Sequence, residues 1–257
     1  MKQRIDILLV ERDLASTRHK AQAMVLAGQV LVNGQKVLKA GQAFPCNAAI
    51  RVLGTQRYVS RGGAKMEAAL EHFQIEVQDR VCADLGASTG GFTDCLLQHG
   101  ARKVYAYDVG RGQLDWRLQS DPRVIVRDRF NVRFITSADL PAQLSLVTAD
   151  LSFISLTKVL LPLHAALREL QAGTACRAAA EPVHLILLVK PQFEVGKGEV
   201  GKGGIVRAEG KRLAALASVT ASAVGAGYRL VGSISSPVTG AEGNREFLLY
   251  LQLPPDL

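Results

Sequence analysis

From Val81 onward, short aliphatic runs and longer amphipathic runs take turns, and this alternation constrains the fold more than any other feature of the chain. Strands are expected over 81–85, 103–108, 124–126, 144–149 and 185–190, with helices over 92–99, 114–119, 156–170 and 211–227 between or after them. Parallel strands need crossovers, so the pattern implies an α/β sheet covered by helices on both faces. Two further strands, 228–233 and 247–253, have no helix between them and are expected to pair antiparallel.

The first sixty residues follow a different plan. Ile5, Leu8 and Leu9 recur at helical spacing, Ser16 or Thr17 can cap a second helix carrying Ala21, Met24 and Val25, and Gly28 stops it. Runs at 30–32 and 36–38 flank Asn33-Gly34, the signature of a type I′ hairpin, and 50–53 reads as another strand. The polar, Gly-containing run Arg57 to Gly63 then separates this small α+β module from a helix expected to begin near Ala64.

Charge follows the same division. The net charge is +8, yet residues 1–61 alone hold ten Lys or Arg against three acids, leaving +1 for the other 196 residues. Neutralising phosphates releases condensed counterions, so a concentration of this kind favours a nucleic acid as partner. A membrane-binding helix needs bulky apolar residues opposite its cations, and that pattern is weak here.

With 257 residues, 48% of them apolar, the chain can bury a substantial core. No apolar run approaches the 18 or more residues that span a bilayer, and no signal-like segment opens the chain, so a cytoplasmic protein is expected. Cys46, Cys82, Cys95 and Cys176 form no C-x-x-C pair and have no histidine at zinc-ligand spacing, which reads as reduced thiols with no metal site.

The mostly parallel sheet ending in an antiparallel hairpin resembles the Rossmann-like fold of S-adenosylmethionine (SAM) dependent methyltransferases. The run Asp84-Leu85-Gly86-Ala87-Ser88-Thr89-Gly90-Gly91-Phe92 lies between a strand and a helix, where open α/β sheets bind ligands. It is neither G-x-G-x-x-G nor a P-loop. Asp84 is expected to receive the ammonium of the cofactor's methionine moiety, Asp108 both ribose hydroxyls, and Asp128 the adenine edge. Each role needs a carboxylate that accepts hydrogen bonds.

Asp150, Lys190 and Glu246 stand at strand ends or nearby, and Lys65 opens the helix after the joint. The quartet resembles the K-D-K-E tetrad of FtsJ-like RNA ribose 2′-O-methyltransferases. Ser16-x-Arg18 followed by Gly28-Gln29-Val30-Leu31-Val32-Asn33-Gly34 resembles the αL RNA-binding module. Together with the runs 60–65, 84–98, 150–156 and 189–194, these motifs make the whole chain similar to the TlyA (haemolysin A) family.

That resemblance implies an RNA-binding domain over 1–56, a linker over 57–63 and a methyltransferase domain over 64–257. It implies transfer from SAM to a ribose 2′-hydroxyl of ribosomal RNA, with cytidine as the nucleoside and Lys65, Asp150, Lys190 and Glu246 as the catalytic set. A 2′-hydroxyl is a poor nucleophile, so transfer needs a base, for which Lys190 is the candidate. Lys65 would supply a neighbouring charge and bind the substrate, while the two acids orient the ammonium groups. Arg4, Arg18, Lys20, Arg57 and Arg61 are the candidate RNA contacts.

Phe92, Trp116 and Phe153 can stack on adenine or a base, although core packing is the default for all three. The Gly-rich, basic stretch 196–204 reads as a lid or a flexible loop. Tyr58 and the run Asp128-Arg129-Phe130-Asn131 depart from the family's usual Trp and E-R-T-N. The competing functions are a non-catalytic RNA-binding or ribosome-assembly factor and, from the family name, a pore-forming protein.

Overall fold

The computed structural model describes residues 2–53, 57–173, 181–196, 198–240 and 242–255. The chain divides into two compact units, Met1–Arg57 and Tyr58–Leu257.

In the first unit, β1 (Lys2–Arg4) leads directly into α1 (Ile5–Glu11). Thr17 caps α2 (Arg18–Leu26) by accepting the Lys20 N–H, and Gly28, at φ +68°, carries the chain out of it. β2 (Val30–Val32) then turns through Asn33 and Gly34, both at positive φ, into β3 (Gln35–Lys36). β3 covers 35–36 rather than the expected 36–38; Val37 still donates its N–H to the Val30 carbonyl (3.0 Å) while its side chain enters the core. β4 (Ala43–Pro45) pairs antiparallel with β1, and β5 (Ile50–Val52) with β2. Ile5, Leu9, Ala21, Val25 and Val30 form the core under these elements.

The second unit begins with residues expected to be a joint. Tyr58 is instead buried in its core, and α3 (Gly62–Phe73) starts two residues earlier than expected. There follow β6 (Val81–Leu85), α4 (Gly91–Gln98), β7 (Lys103–Tyr107), α5 (Trp116–Gln119), β8 (Val124–Arg127), β9 (Leu144–Ala149), α6 (Thr157–Gly173) and β10 (Val183–Val189). The chain continues through α7 (Pro191–Glu194), α8 (Glu209–Gly225), β11 (Arg229–Ser235) and β12 (Phe247–Leu253). α5 starts at Trp116 rather than 114 because the Asp115 carboxylate caps it. The Ala-rich loop expected over 175–182 lies, up to residue 180, outside the described residues, as does Cys176.

The strands form one seven-stranded sheet in the order β11-β12-β10-β9-β6-β7-β8. The five strands from β6 to β10 are mutually parallel, and β12 inserts antiparallel between β10 and β11. Aliphatic clusters cover both faces, one involving α6 and α8, the other α3 and α4. β6 and β9 adjoin at the centre with no exposed residue, so their carboxyl ends open at the switch point between the β7 and β10 sides. That is where an open α/β sheet receives ligands.

Candidate active site

Two adjoining cavities open along the carboxyl edge of this sheet. The larger, about 960 Å³, is lined by Gly86, Ser88, Asp108, Asn131, Arg133 and Asp150 among others. The smaller, about 550 Å³, is lined by Arg61, Lys65, Lys190, Val200, Gly204 and Glu246 among others. Ser152, Phe153, Gln192 and Phe193 line both. These four side chains are the common wall.

The β6 to α4 loop builds one side of the larger cavity. Gly86 sits at φ +82°, and a Cβ there would lie 2.7 Å from the Asp150 carbonyl, so only glycine lets the two strand ends close on each other. Asp108 accepts hydrogen bonds from the Ser88 N–H (2.8 Å) and the Gly110 N–H (2.7 Å). A carboxylate has about four acceptor positions, so Asp108 keeps capacity for the hydroxyls of a nucleoside. A cavity of this size, with backbone approach at Gly86 and an acceptor at Asp108, suits a nucleoside cofactor.

The other expected cofactor residues occupy different places. Asp84 is wholly buried, and its two oxygens accept hydrogen bonds from the hydroxyls of Thr93 (2.7 Å) and Thr148 (3.0 Å). It stands behind the loop and outside both linings, tying α4 to β9. Burial pushes its pKa up to about 6, against the opposing pull of the two hydroxyls. Phe92 is packed in the core, and Thr89, Gly90 and Gly91 hold the turn into α4 without lining the cavity. Asp128 is exposed and accepts the Gly112 N–H (2.8 Å), again outside the lining.

The four tetrad candidates form two ion pairs. Lys65 Nζ lies 2.5 Å from Glu246 Oε2, and both side chains are buried. Lys190 Nζ lies 2.6 Å from Asp150 Oδ1 and donates to Ser152 Oγ at 2.9 Å. Three of the four line the smaller cavity, and Asp150 lines the larger.

Phe153 corrects the core expectation. It is 92% exposed at φ +63° and packs only on Phe193 among the described aromatic residues, with centroids 5.3 Å apart. Trp116, also expected in the core, is 73% exposed. Of the RNA-contact candidates, Arg4, Arg18, Lys20 and Arg57 belong to the first unit, and Arg61 lines the smaller cavity of the second.

Two supporting residues went unread in the sequence. Glu194 accepts hydrogen bonds from Ser155 Oγ (2.6 Å) and the Leu156 N–H (2.9 Å), fastening α7 to the segment after β9. Buried Asn244 accepts the Val206 N–H (2.9 Å) and donates to the Gly204 carbonyl (2.8 Å), which anchors the end of the Gly-rich stretch. Lys197 of that stretch lies outside the described residues. The only local sign of either role was proximity to Lys190 and Glu246.

Among the described residues no acid, histidine or cysteine cluster could hold a metal, and no helix is long and apolar enough to cross a membrane. Residues 58–253 match the FtsJ-like methyltransferase family, and residues 3–43 match the S4 domain. YqxC of Bacillus subtilis (strain 168) is 45% identical over 98% of this chain and 86% of its own length. The 16S/23S rRNA (cytidine-2′-O)-methyltransferase TlyA of Mycobacterium tuberculosis is 43% identical over 99% of this chain and 91% of its own length. A solved structure from Streptococcus thermophilus, labelled a hemolysin, is 39% identical with a TM-score of 0.72, covering 99% of this chain and 89% of that one. With a matched domain spanning most of its length and relatives this similar from end to end, the chain belongs to the FtsJ-like methyltransferase family, in the TlyA and YqxC branch that carries an S4 domain.

Proposed function

We propose that the chain transfers a methyl group from SAM to the ribose 2′-hydroxyl of a cytidine in ribosomal RNA. The observation that carries this reading is the pairing of Lys65 with Glu246 and Lys190 with Asp150 beside a cavity of nucleoside size, across a shared wall. SAM, held by the Gly86 to Ser88 backbone and Asp108, supplies the methyl group. The 43% identity to a chain named for cytidine 2′-O-methylation supports the choice of nucleoside.

Each residue has a distinct task. Lys190, as the neutral amine, takes the proton of the 2′-hydroxyl as the oxygen takes the methyl carbon from sulfur; Asp150 and Ser152 hold its Nζ, and Asp150 pairs with the ammonium that results. Lys65, fixed by Glu246, offers its remaining N–H groups to the ribose or a flanking phosphate. Phe153 and Phe193 present a ring face on which the target base can stack. Holding the oxygen in line with the methyl carbon provides much of the acceleration.

The S4 unit grips structured RNA through Arg4, Arg18, Lys20 and Arg57, while Arg61 guides the strand at the acceptor cavity. A ribosomal RNA substrate implies work in the cytoplasm. The test incubates the purified chain and labelled SAM with separated ribosomal subunits and their naked RNAs, then digests the product to nucleosides. Label in 2′-O-methylcytidine is the expected result; label on a base, or no transfer to any of them, contradicts the assignment.

A further inference from the structure

Within the first unit, Asp6 is the one charged residue with no exposed surface among the described residues, and it is surrounded by cations. Its Oδ1 accepts from Arg4 Nε at 3.0 Å. Its Oδ2 accepts from Arg4 Nη2 (3.0 Å), Arg18 Nε (3.0 Å) and Gln22 Nε2 (2.9 Å). One buried carboxylate thereby gathers a strand-end arginine and an α2 arginine from fourteen positions apart.

The two arginines are only partly buried, with side chains 46% and 55% exposed. Among the described residues, Arg4 Nη1 and both Nη atoms of Arg18 have no protein partner. The Arg4 guanidinium also lies near Gly41, where a Cβ would be 3.5 Å from it. Asp6 itself is anchored by its backbone N–H on the Ala40 carbonyl. The result is two guanidinium groups held on one buried carboxylate, with N–H groups left over for an anion.

We infer that Asp6 is a positioning residue for RNA binding, which pre-organises Arg4 and Arg18 as one fork for backbone phosphates. This rests on the reading of the S4 unit as the RNA grip. Pre-organisation lowers the ordering cost that two free arginine side chains would pay on binding. It makes a prediction of unusual sign: removing a negative charge from a basic surface should tighten RNA binding by simple electrostatics, whereas losing the organiser should weaken it.

The test measures binding of the full chain to purified small- and large-subunit ribosomal RNAs over a range of salt concentrations, with SAM binding as a control. Asp6→Asn is expected to weaken RNA binding about tenfold and to reduce the salt slope by about 1 to 2, the loss of one or two phosphate contacts. Adding Arg4→Ala and Arg18→Ala to Asp6→Asn should cost little more than the arginine changes alone. Binding by Asp6→Asn at or above the unaltered chain's affinity, while Arg4→Ala and Arg18→Ala weaken it, overturns the inference. If the arginine changes themselves have no effect, the RNA-grip reading fails instead.

Should Asp6→Asn unfold the first unit, Arg4→Lys and Arg18→Lys decide. Both keep the charge and lose the planar fork, so about fivefold weaker binding supports the inference and unchanged affinity overturns it.

Discussion

Lys65 and Glu246, 181 positions apart in the chain, meet at 2.5 Å with side chains only 9% and 2% exposed. A buried pair of this kind costs desolvation energy to form, and removing one partner strands the other charge. Glu246→Ala should therefore lower stability by about 3 to 5 kcal/mol and abolish methyl transfer. Replacing both residues, Lys65→Met with Glu246→Leu, should restore most of the thermal stability and none of the activity. Chemical denaturation alongside a transfer assay separates the two effects, and recovery of activity in the double variant would contradict the role given to Lys65.

Asp84 makes stability depend on pH. Its burial raises the folded-state pKa to about 6, whereas the unfolded chain's carboxyl titrates near its ordinary value. A raised folded pKa means stabilisation that is complete below about pH 4 and is lost as the pH rises through about 6. Asp84→Asn does not titrate, so the stability of the unaltered chain relative to this variant should fall by roughly 3 kcal/mol across that window. Denaturant midpoints at pH 4 and pH 7 check it; a constant difference between the two chains would sink the account of Asp84.

Glu194 itself lines neither cavity, yet it joins the two segments that carry Lys190, Gln192 and Phe193 on one side and Asp150, Ser152 and Phe153 on the other. Glu194→Ala should lower kcat about tenfold or more, with KM for SAM little changed, because a small misplacement of the reacting groups suffices. Glu194→Gln keeps an acceptor for the Leu156 N–H and should recover most of the rate. Equal losses in kcat and SAM affinity, with no recovery by Gln, would mean the residue only holds the fold.

What the sequence revealed and what it hid divide along physical lines. The expected spans of β6, β9 and β12 coincide with the observed strands. β6 and β9 are unbroken apolar runs apart from Asp84 and the small hydroxyls of Ser145 and Thr148, and burial on both faces leaves little choice. β1 and β4 went unseen because three mostly exposed residues carry no alternation, and α7 because a four-residue helix starting at Pro191 has no period. Phe153 was expected in the core because composition does not reveal that its backbone turns through φ +63° and sends the ring outward. The contacts of Glu194 and Asn244 cross about forty positions, a pairing no local pattern encodes.

Phe153 offers a test with little structural side effect. Exposed as it is, its replacement by Ala should leave stability within about 0.5 kcal/mol. If its ring holds the target base, the loss of stacking, about 1 to 3 kcal/mol, should cut kcat/KM for RNA about tenfold or more, with SAM affinity retained. Phe153→Tyr should keep most of the activity. An alanine variant as active as the unaltered chain would remove Phe153 from the acceptor site.

The most direct measurement concerns Lys190. Lys190→Arg can still pair with Asp150, but a guanidinium stays protonated and cannot accept the hydroxyl proton. The chain and this variant are each incubated with labelled SAM and ribosomal RNA, and the product is hydrolysed in alkali, which spares only linkages whose 2′-oxygen is methylated. The account predicts labelled alkali-resistant linkages from the unaltered chain and none from Lys190→Arg, with SAM still bound by both. Resistant linkages formed at equal rates by the variant would contradict the assignment of Lys190 as the base.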